Sequence, residues 1–337
     1  MIFLGDNDVK KIINDVAAVE EQMVCGLVKS CPRRLKKLDF GNIIVRANKK
    51  FGKVALVSGG GSGHEPAHGG FVGEGMLDCA VAGAVFTSPT PDQVLEGIKA
   101  VATDKGVLCI VKNYTGDVMN FEMAIEMAQD EGLKAEYVVV NDDVAVKDSL
   151  YTTGRRGVAG TILVHKIAGA KAEEGADLAA VKAVAEKVIA NVRTMGMAIK
   201  PCTVPAAGKP GFELSDNEME IGIGIHGEPG THREPIANAD DVAKKLLDKI
   251  LSDIDYSGQE VVVIVNGMGA TPLMELYIVN NFVQDYLASK NIKVYDTMVG
   301  NYMTSIEMAG FSLTLLRLDD EMKTLYDAAC DTVALKR

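Results

Sequence analysis

The segment Ser58-Gly59-Gly60-Gly61-Ser62-Gly63-His64-Glu65-Pro66 follows the apolar run Val54 to Val57 without a break. Four glycines in five positions permit backbone angles closed to other residues and let N–H groups come close to a bound oxygen. Such a segment serves as a tight strand-to-helix turn or as a cradle for a small polar ligand, and this glycine density favours the cradle. It is not a P-loop, because G-x-x-x-x-G-K-[ST] needs a lysine that is absent here, and G-x-G-x-x-G fails at His64. His64-Glu65-Pro66-Ala67-His68 spells H-E-x-x-H. That zinc pattern needs both histidines on one face of an established helix, and the glycine run and Pro66 argue against one.

Further apolar runs of similar length end in Gly, Asn or Asp and alternate with helical patterns, the signature of an α/β chain. Strands are predicted at Val54 to Val57, Val81 to Phe86, Val107 to Val111 and Tyr137 to Val140, with helices over Pro91 to Val101 and Val118 to Glu131. Helical spacing then runs from Val158 through Arg193, broken near Gly175 and ending at Met195-Gly196, where glycine suits a C-cap. Beyond the proline-rich stretch Pro201 to Pro210, strands are expected at Glu218 to Ile225, Val261 to Val265, Ile292 to Val299 and Ser312 to Leu318. Helices are expected at Asp240 to Ile254, Pro272 to Ala288, Met303 to Ala309 and Asp319 to Ala329. At about 150 residues per domain, a chain of 337 residues makes two layered α/β domains with mixed sheets and flanking helices. The N-terminal domain is expected over 1–196 and the C-terminal domain over 197–337.

Thirty-five basic against 46 acidic residues give a net charge of −11, which disfavours nucleic acid and anionic membrane surfaces as partners. No apolar stretch reaches the length of a membrane span, and Met1 to Lys11 carries charges where a signal peptide needs an apolar core. Six cysteines are scattered without a C-x-x-C pair, as expected of reduced thiols in a cytoplasmic protein without a zinc knuckle.

Three segments place chemistry beside strand ends, where open α/β sheets bind ligands. The first is the glycine segment with His64. The second, Lys112-Asn113-Tyr114-Thr115-Gly116-Asp117, puts Asp117 at the start of a helix, as an N-cap or as a site carboxylate. The third, Gly222-Ile223-Gly224-Ile225-His226-Gly227, is a formal G-x-G-x-x-G. It lies within and after a strand rather than between strand and helix, and what remains is a glycine-flanked histidine, a core residue or an active one. Convergence of the three requires their strands to lie side by side. Asn266 to Pro272 reads as a helix start, and Asn141-Asp142-Asp143 and Gly154-Arg155-Arg156-Gly157 as solvated turns.

Together Ser58 to Pro66, Phe86-Thr-Ser-Pro-Thr90, Lys112 to Asp117, Gly154 to Gly157, Gly224-Ile-His-Gly-Glu-Pro-Gly230 and Asn266 to Pro272 resemble the dihydroxyacetone kinase family. The likeness is to its substrate-binding K subunits and spans about Asn42 to Leu318. It implies that His226 forms a hemiaminal through Nε2 with the carbonyl of dihydroxyacetone, that His64 assists proton movement, and that Asp117 receives the hydroxyl to be phosphorylated. Gly61, Ser62, Gly63 and Lys112 fall on family substrate contacts. His232 is a second histidine nearby, and the glycine flanks favour His226. The resemblance further implies a homodimer that binds no cofactor or metal itself. A separate L subunit would hold ADP or ATP with Mg²⁺ and be recharged by a phosphotransferase M subunit. It also includes an alternative, a non-catalytic coactivator that senses the ketone for a transcription regulator.

Overall fold

The structure, a computed structural model, describes residues 10–147 and 152–337. Most of the charged Met1 to Lys11 segment lies outside them. The first six strands, β1 (Leu35–Lys37), β2 (Ile43–Arg46), β3 (Ala55–Ser62), β4 (Cys79–Val85), β5 (Val107–Lys112) and β6 (Ala135–Val140), form a sheet in the order β1-β2-β4-β3-β5-β6. Its centre is parallel, β4 to β3 to β5 to β6, with antiparallel additions at the β1 and β2 edge. The second sheet joins β7 (Val192–Lys200), β8 (Glu218–Ile221), β9 (His232–Pro235), β10 (Glu260–Gly267), β11 (Lys293–Gly300) and β12 (Ala309–Leu318) in the order β11-β10-β12-β7-β8-β9. There only β10 and β11 run parallel. Both sheets are mixed, as expected.

The helices are α1 (Val19–Ser30), α2 (Pro91–Val101), α3 (Thr115–Asp130), α4 (Thr161–Glu173), α5 (Leu178–Asn191), α6 (Ala239–Leu251), α7 (Leu273–Ser289) and α8 (Asp320–Asp327). Three apolar clusters define the layers. Helices α2 and α3 bury Val94, Ile98, Phe121 and Ile125 on one face of the first sheet. Helices α6 and α7 do the same with Leu246, Ile250, Leu276 and Val283 on the second. Between the sheets, Leu56 and Ile110 share a core with Ile264 and Leu316 through residues of α4, α5 and α8. Helix α4 is buried on every side from Thr161 to Ala170, as a helix sandwiched between two sheets must be.

Several expectations shift. The helical pattern does not reach Gly196: α5 stops at Asn191, and Gly196 lies inside β7. A Cβ there would meet Met268 at 2.9 Å, so the glycine serves strand packing rather than a cap. Position 196 therefore falls within a strand of the second sheet, and α5 packs against both sheets. The strand begun at Glu218 ends at Ile221, because the next carbonyl, of Gly222, accepts from Arg156 Nη2 at 2.7 Å. Residues 301–308 form turns, not a helix. The two supposed solvated turns each send charged side chains into the interior. The Asp142 carboxylate accepts from the N–H groups of Val158 and Gly160, and Arg156 is fully enclosed against Asp143.

At the amino ends of β3 and β4, far along the strands from the glycines, Asp78 joins Lys53 at 2.5 Å, Arg46 at 3.1 Å and the Leu56 N–H at 2.8 Å. Lys53 is 2% exposed, so removing Asp78 leaves a buried charge with only the more distant Glu173, at 3.8 Å, to oppose it. Asp78→Ala is expected to lower unfolding free energy by about 3–5 kcal/mol in urea titration; a loss below 1 kcal/mol would contradict this account.

Candidate active site

Strand β3 continues through the glycines to Ser62, so the segment is strand first and turn second. Its neighbours in the sheet approach too closely for side chains. A Cβ on Gly60 would lie 2.5 Å from Lys112 Nζ and 3.3 Å from Asp117 Oδ2, and one on Gly63, with φ of +98°, would lie 2.9 Å from the Phe86 ring. Lys112 is the last residue of β5, paired beside β3, and Asp117 sits in the first turn of α3.

His226 arrives from the other sheet. The convergence is therefore between facing sheets rather than along neighbouring strands, which supply His64 and Asp117 alone. The loop after β8 is pinned by Arg156, which pairs with Asp143 at 2.7 Å and Glu228 at 3.4 Å. Glu228 in turn accepts the backbone N–H of His226 at 3.0 Å. The His226 ring meets Tyr114, His64 and Phe86 edge to face, at centroid separations of 4.3, 4.7 and 5.4 Å. A cavity of about 490 Å³ is lined by Gly61, Phe86, Ser88, Tyr114, Asp117 and His226 among others.

His64 stands behind this wall, fully buried and stacked on Phe86. Its Nδ1 lies 2.9 Å from the Thr304 carbonyl. A carbonyl only accepts, so Nδ1 carries the proton and Nε2, which has no hydrogen-bond partner, keeps a free lone pair. Asn266 holds the loop that supplies this carbonyl, donating to Met303 O at 2.8 Å and accepting from the N–H groups of Tyr302 and Met303. The segment read as a helix start thus fixes a tautomer.

Burial pulls the His226 pKa down to about 3, helped by the Lys112 and Arg156 cations. Burial also pulls His64 well below the usual range, with His226 and Lys112 adding to the effect. Both imidazoles are neutral near pH 7. Lys112 and Asp117 form a buried pair, Nζ to Oδ2, at 3.7 Å. Burial lowers the lysine and raises the aspartate, each opposed by the other's charge. The Asp117 carboxylate accepts from Ser88 Oγ rather than capping backbone.

Of the expected site residues, Gly61, Asp117 and His226 line the cavity, and His64 and Lys112 support it. Ser62 donates to Gly83 O at 2.7 Å, and Gly63 is engaged with Glu65 and Ile306. The H-E-x-x-H pair points apart: His68 faces Lys112 and His165, in a segment of turns rather than helix. Among the described residues no group of three or more His, Cys, Asp or Glu side chains could hold a metal. His232 is exposed on edge strand β9. Phe86, Ser88, Tyr114, Arg156 and Glu228 all lay within or beside recognised motifs, yet no role followed from their sequence. Thr304, 240 residues from His64, carried no signal.

The Dak1 domain family model matches residues 25–334. The chain belongs to the Dak1 domain family. The match takes in Cys25 and Cys31, so the likeness begins earlier than the Asn42 expected from motifs. The dihydroxyacetone-binding subunit of a PTS-dependent dihydroxyacetone kinase from Listeria innocua is 60% identical over 313 residues, covering 93% of this chain and 95% of the relative. The corresponding subunit of a PEP-dependent kinase from Escherichia coli is 46% identical, covering 97% and 99%. Among solved structures, the dihydroxyacetone kinase of C. freundii superposes with a TM-score of 0.90 at 35% identity, over 96% of this chain and 60% of that one. A dihydroxyacetone kinase operon co-activator gives 0.89 at 37%, over 93% and 97%. Both kinase and co-activator share this Dak1 fold.

The close approach at Gly60 has a measurable consequence. Gly132, with φ of +84° and open space around it, sets the cost of backbone strain alone. Gly60→Ala adds overpacking, and is expected to destabilise by about 1–3 kcal/mol more than Gly132→Ala in urea denaturation; equal losses would show that the strand tolerates a side chain.

Proposed function

We propose that this chain is the dihydroxyacetone-binding subunit of a dihydroxyacetone kinase, a phosphotransferase that converts dihydroxyacetone to its phosphate with help from a nucleotide-bearing partner. The observation that carries this reading is the meeting, in one cavity, of a neutral histidine brought by one sheet with Asp117 brought by the other, the carboxylate being paired to the buried Lys112 behind it. Close similarity to dihydroxyacetone-binding kinase subunits supports it.

Catalysis begins with capture. The Nε2 lone pair of neutral His226 adds to the ketone carbon, a C–N bond forms and the C=O π electrons move to oxygen. Oxygen takes up one proton while the imidazolium gives up one, so the hemiaminal forms without net proton change. His64, whose ring meets that of His226 edge to face and whose Nε2 keeps a free lone pair, relays that proton in this reading. Asp117 then accepts the hydrogen of a terminal hydroxyl and aims its oxygen at the phosphoryl group. Lys112 keeps the carboxylate ionised, and positioning outweighs deprotonation in such transfers.

ADP or ATP and Mg²⁺ are assigned in this reading to an L subunit docked over the cavity mouth, and the M subunit to its recharging from phosphoenolpyruvate. The C. freundii kinase solved with AMP-PNP and Mg²⁺ is longer than the region matched here. The assembly is read as a homodimer, supported by the exposed apolar residues Leu273, Met274, Tyr277 and Ile278 on α7. Cytoplasmic placement is supported by free cysteines, and no helix among the described residues is long and apolar enough to cross a membrane. The co-activator reading needs capture alone. The pairing of Asp117 with Lys112 and Ser88 favours the kinase.

Incubated with nucleotide-bearing partner and phosphoryl donor, the protein is expected to phosphorylate dihydroxyacetone. Asp117→Ala should lower kcat by about 100-fold or more, and wild-type turnover by that variant would remove Asp117 from the chemistry. With ¹³C-labelled dihydroxyacetone, the ketone carbon signal should move to the tetrahedral region for wild type and remain unshifted for His226→Ala. Because the His226 pKa is depressed to about 3, the neutral form persists as pH falls. Capture should therefore stay level from pH 8 to pH 5, whereas an inflection near 6.5, the ordinary histidine value, would contradict a buried neutral nucleophile.

A further inference from the structure

Behind Lys112, on the side away from the cavity, lies a chain of buried polar groups for which the capture and transfer steps have no use. Lys112 Nζ is 3.0 Å from His68 Nε2, and His68 Nδ1 is 3.0 Å from Nε2 of His165 on α4. His68 and His165 are 6% and 0% exposed. His165 Nδ1 is buried without a partner.

Donor and acceptor chemistry gives this chain a direction. Lys112 as an ammonium offers three N–H groups and accepts nothing. It meets three acceptors, the Gly59 carbonyl at 3.3 Å, Asp117 Oδ2 at 3.7 Å and His68 Nε2. His68 Nε2 must then be unprotonated, its proton on Nδ1 and directed at His165 Nε2. His165 is left with its proton on Nδ1, facing nothing. Leaving a buried donor unpaired is unfavourable. The reverse tautomers would put a His68 N–H against the ammonium. The cost thus sits at the end of the chain farthest from the cavity, which indicates that the lysine sets the order.

We propose that His68, backed by His165, is a positioning residue for phosphoryl transfer: it takes one Lys112 N–H, holds the lysine charged, and leaves its third N–H directed at Asp117. The inference rests on the kinase reading for its consequence, though not for its geometry. The titratable groups around the pair are Asp117, His64, His68, His165, His226 and Tyr114. Without the His68 acceptor, Lys112 favours its neutral form, Asp117 loses its counter-charge, and its ionisation moves to higher pH.

The test uses the intact protein with its partner, and His68→Leu, which removes the acceptor, beside His68→Gln, whose Oε1 reaches the Nε2 position. His68→Leu should lower kcat at least tenfold and move the acid limb of the kcat profile to higher pH, while ¹³C ketone capture at His226 stays as in wild type. His68→Gln should return kcat to within about threefold and restore the limb. Lower kcat with an unmoved limb, or no rescue by glutamine, would reduce His68 to a packing residue and overturn the proposal. A second measurement needs neither folding of the variants nor turnover. In ¹⁵N-histidine spectra of wild type, His68 should be the Nδ1–H tautomer, and an Nε2–H form would overturn the proposal. Absence of wild-type turnover with His68 as Nδ1–H would instead count against the kinase reading.

Discussion

Everything at the cavity depends on a length of β3 that has backbone and no side chains. From Gly59 to Gly61 the strand lies against Lys112 and Asp117 on one side and Phe86 on the other, at distances a methyl group would violate. Removing side chains from a central strand weakens it, since glycine loses more freedom on folding and packs nothing. The sheet tolerates this because the glycines stay paired to β4 through Ser62, and the apolar start of β3, Ala55 to Ser58, is also paired to β5. The gain is access: a lysine, an aspartate and two histidines reach one small volume that ordinary side chains would fill.

The electrostatics of that volume follow from its dryness. An enclosed lysine–aspartate pair is weak evidence for stability, because desolvation can exceed the attraction between the charges. The same holds for Arg156 between Asp143 and Glu228, which nonetheless ties the His226 loop to the ends of β6 and β8. These charges also act on the imidazoles. Burial lowers the proton affinity of His64, His68, His165 and His226, and Lys112 adds to the effect at all four, so dryness and one shared cation keep a group of histidines neutral and available as lone pairs.

Legibility in the sequence tracked the range of the interaction. Periodicity located α2 to the residue and most strands to within a few, because alternation and helical spacing are local. It missed β1, β2, β7 and β9. Two are short edge elements, and β7 reads as helix because Val192 to Lys200 mixes small and apolar residues after a long helical run. The motifs located His64, Asp117 and His226. They could not show that His226 comes from a second sheet, that His64 owes its tautomer to Thr304, or that Arg156 is buried. Each of those facts is a contact between residues far apart in the chain, and polar residues in glycine-flanked turns look solvated until the partner is seen.

The division of the site between two sheets bears on selectivity. A pocket that recognised hydroxyl groups alone would hold glycerol and dihydroxyacetone with similar energy, since one oxygen replaces another of nearly the same size. In the proposed mechanism His226 tests for something else, an electrophilic carbon, and Asp117, at the start of α3 beside the first sheet, tests for a hydroxyl within reach of that carbon. A polyol satisfies the second and fails the first, and a simple ketone satisfies the first and fails the second. Because addition of a neutral imidazole to a carbonyl needs no net proton, the bond can open by the reverse of the path that formed it, with no change of pH or added reagent. In the proposed mechanism the product therefore leaves by reversal of the step that selected the substrate.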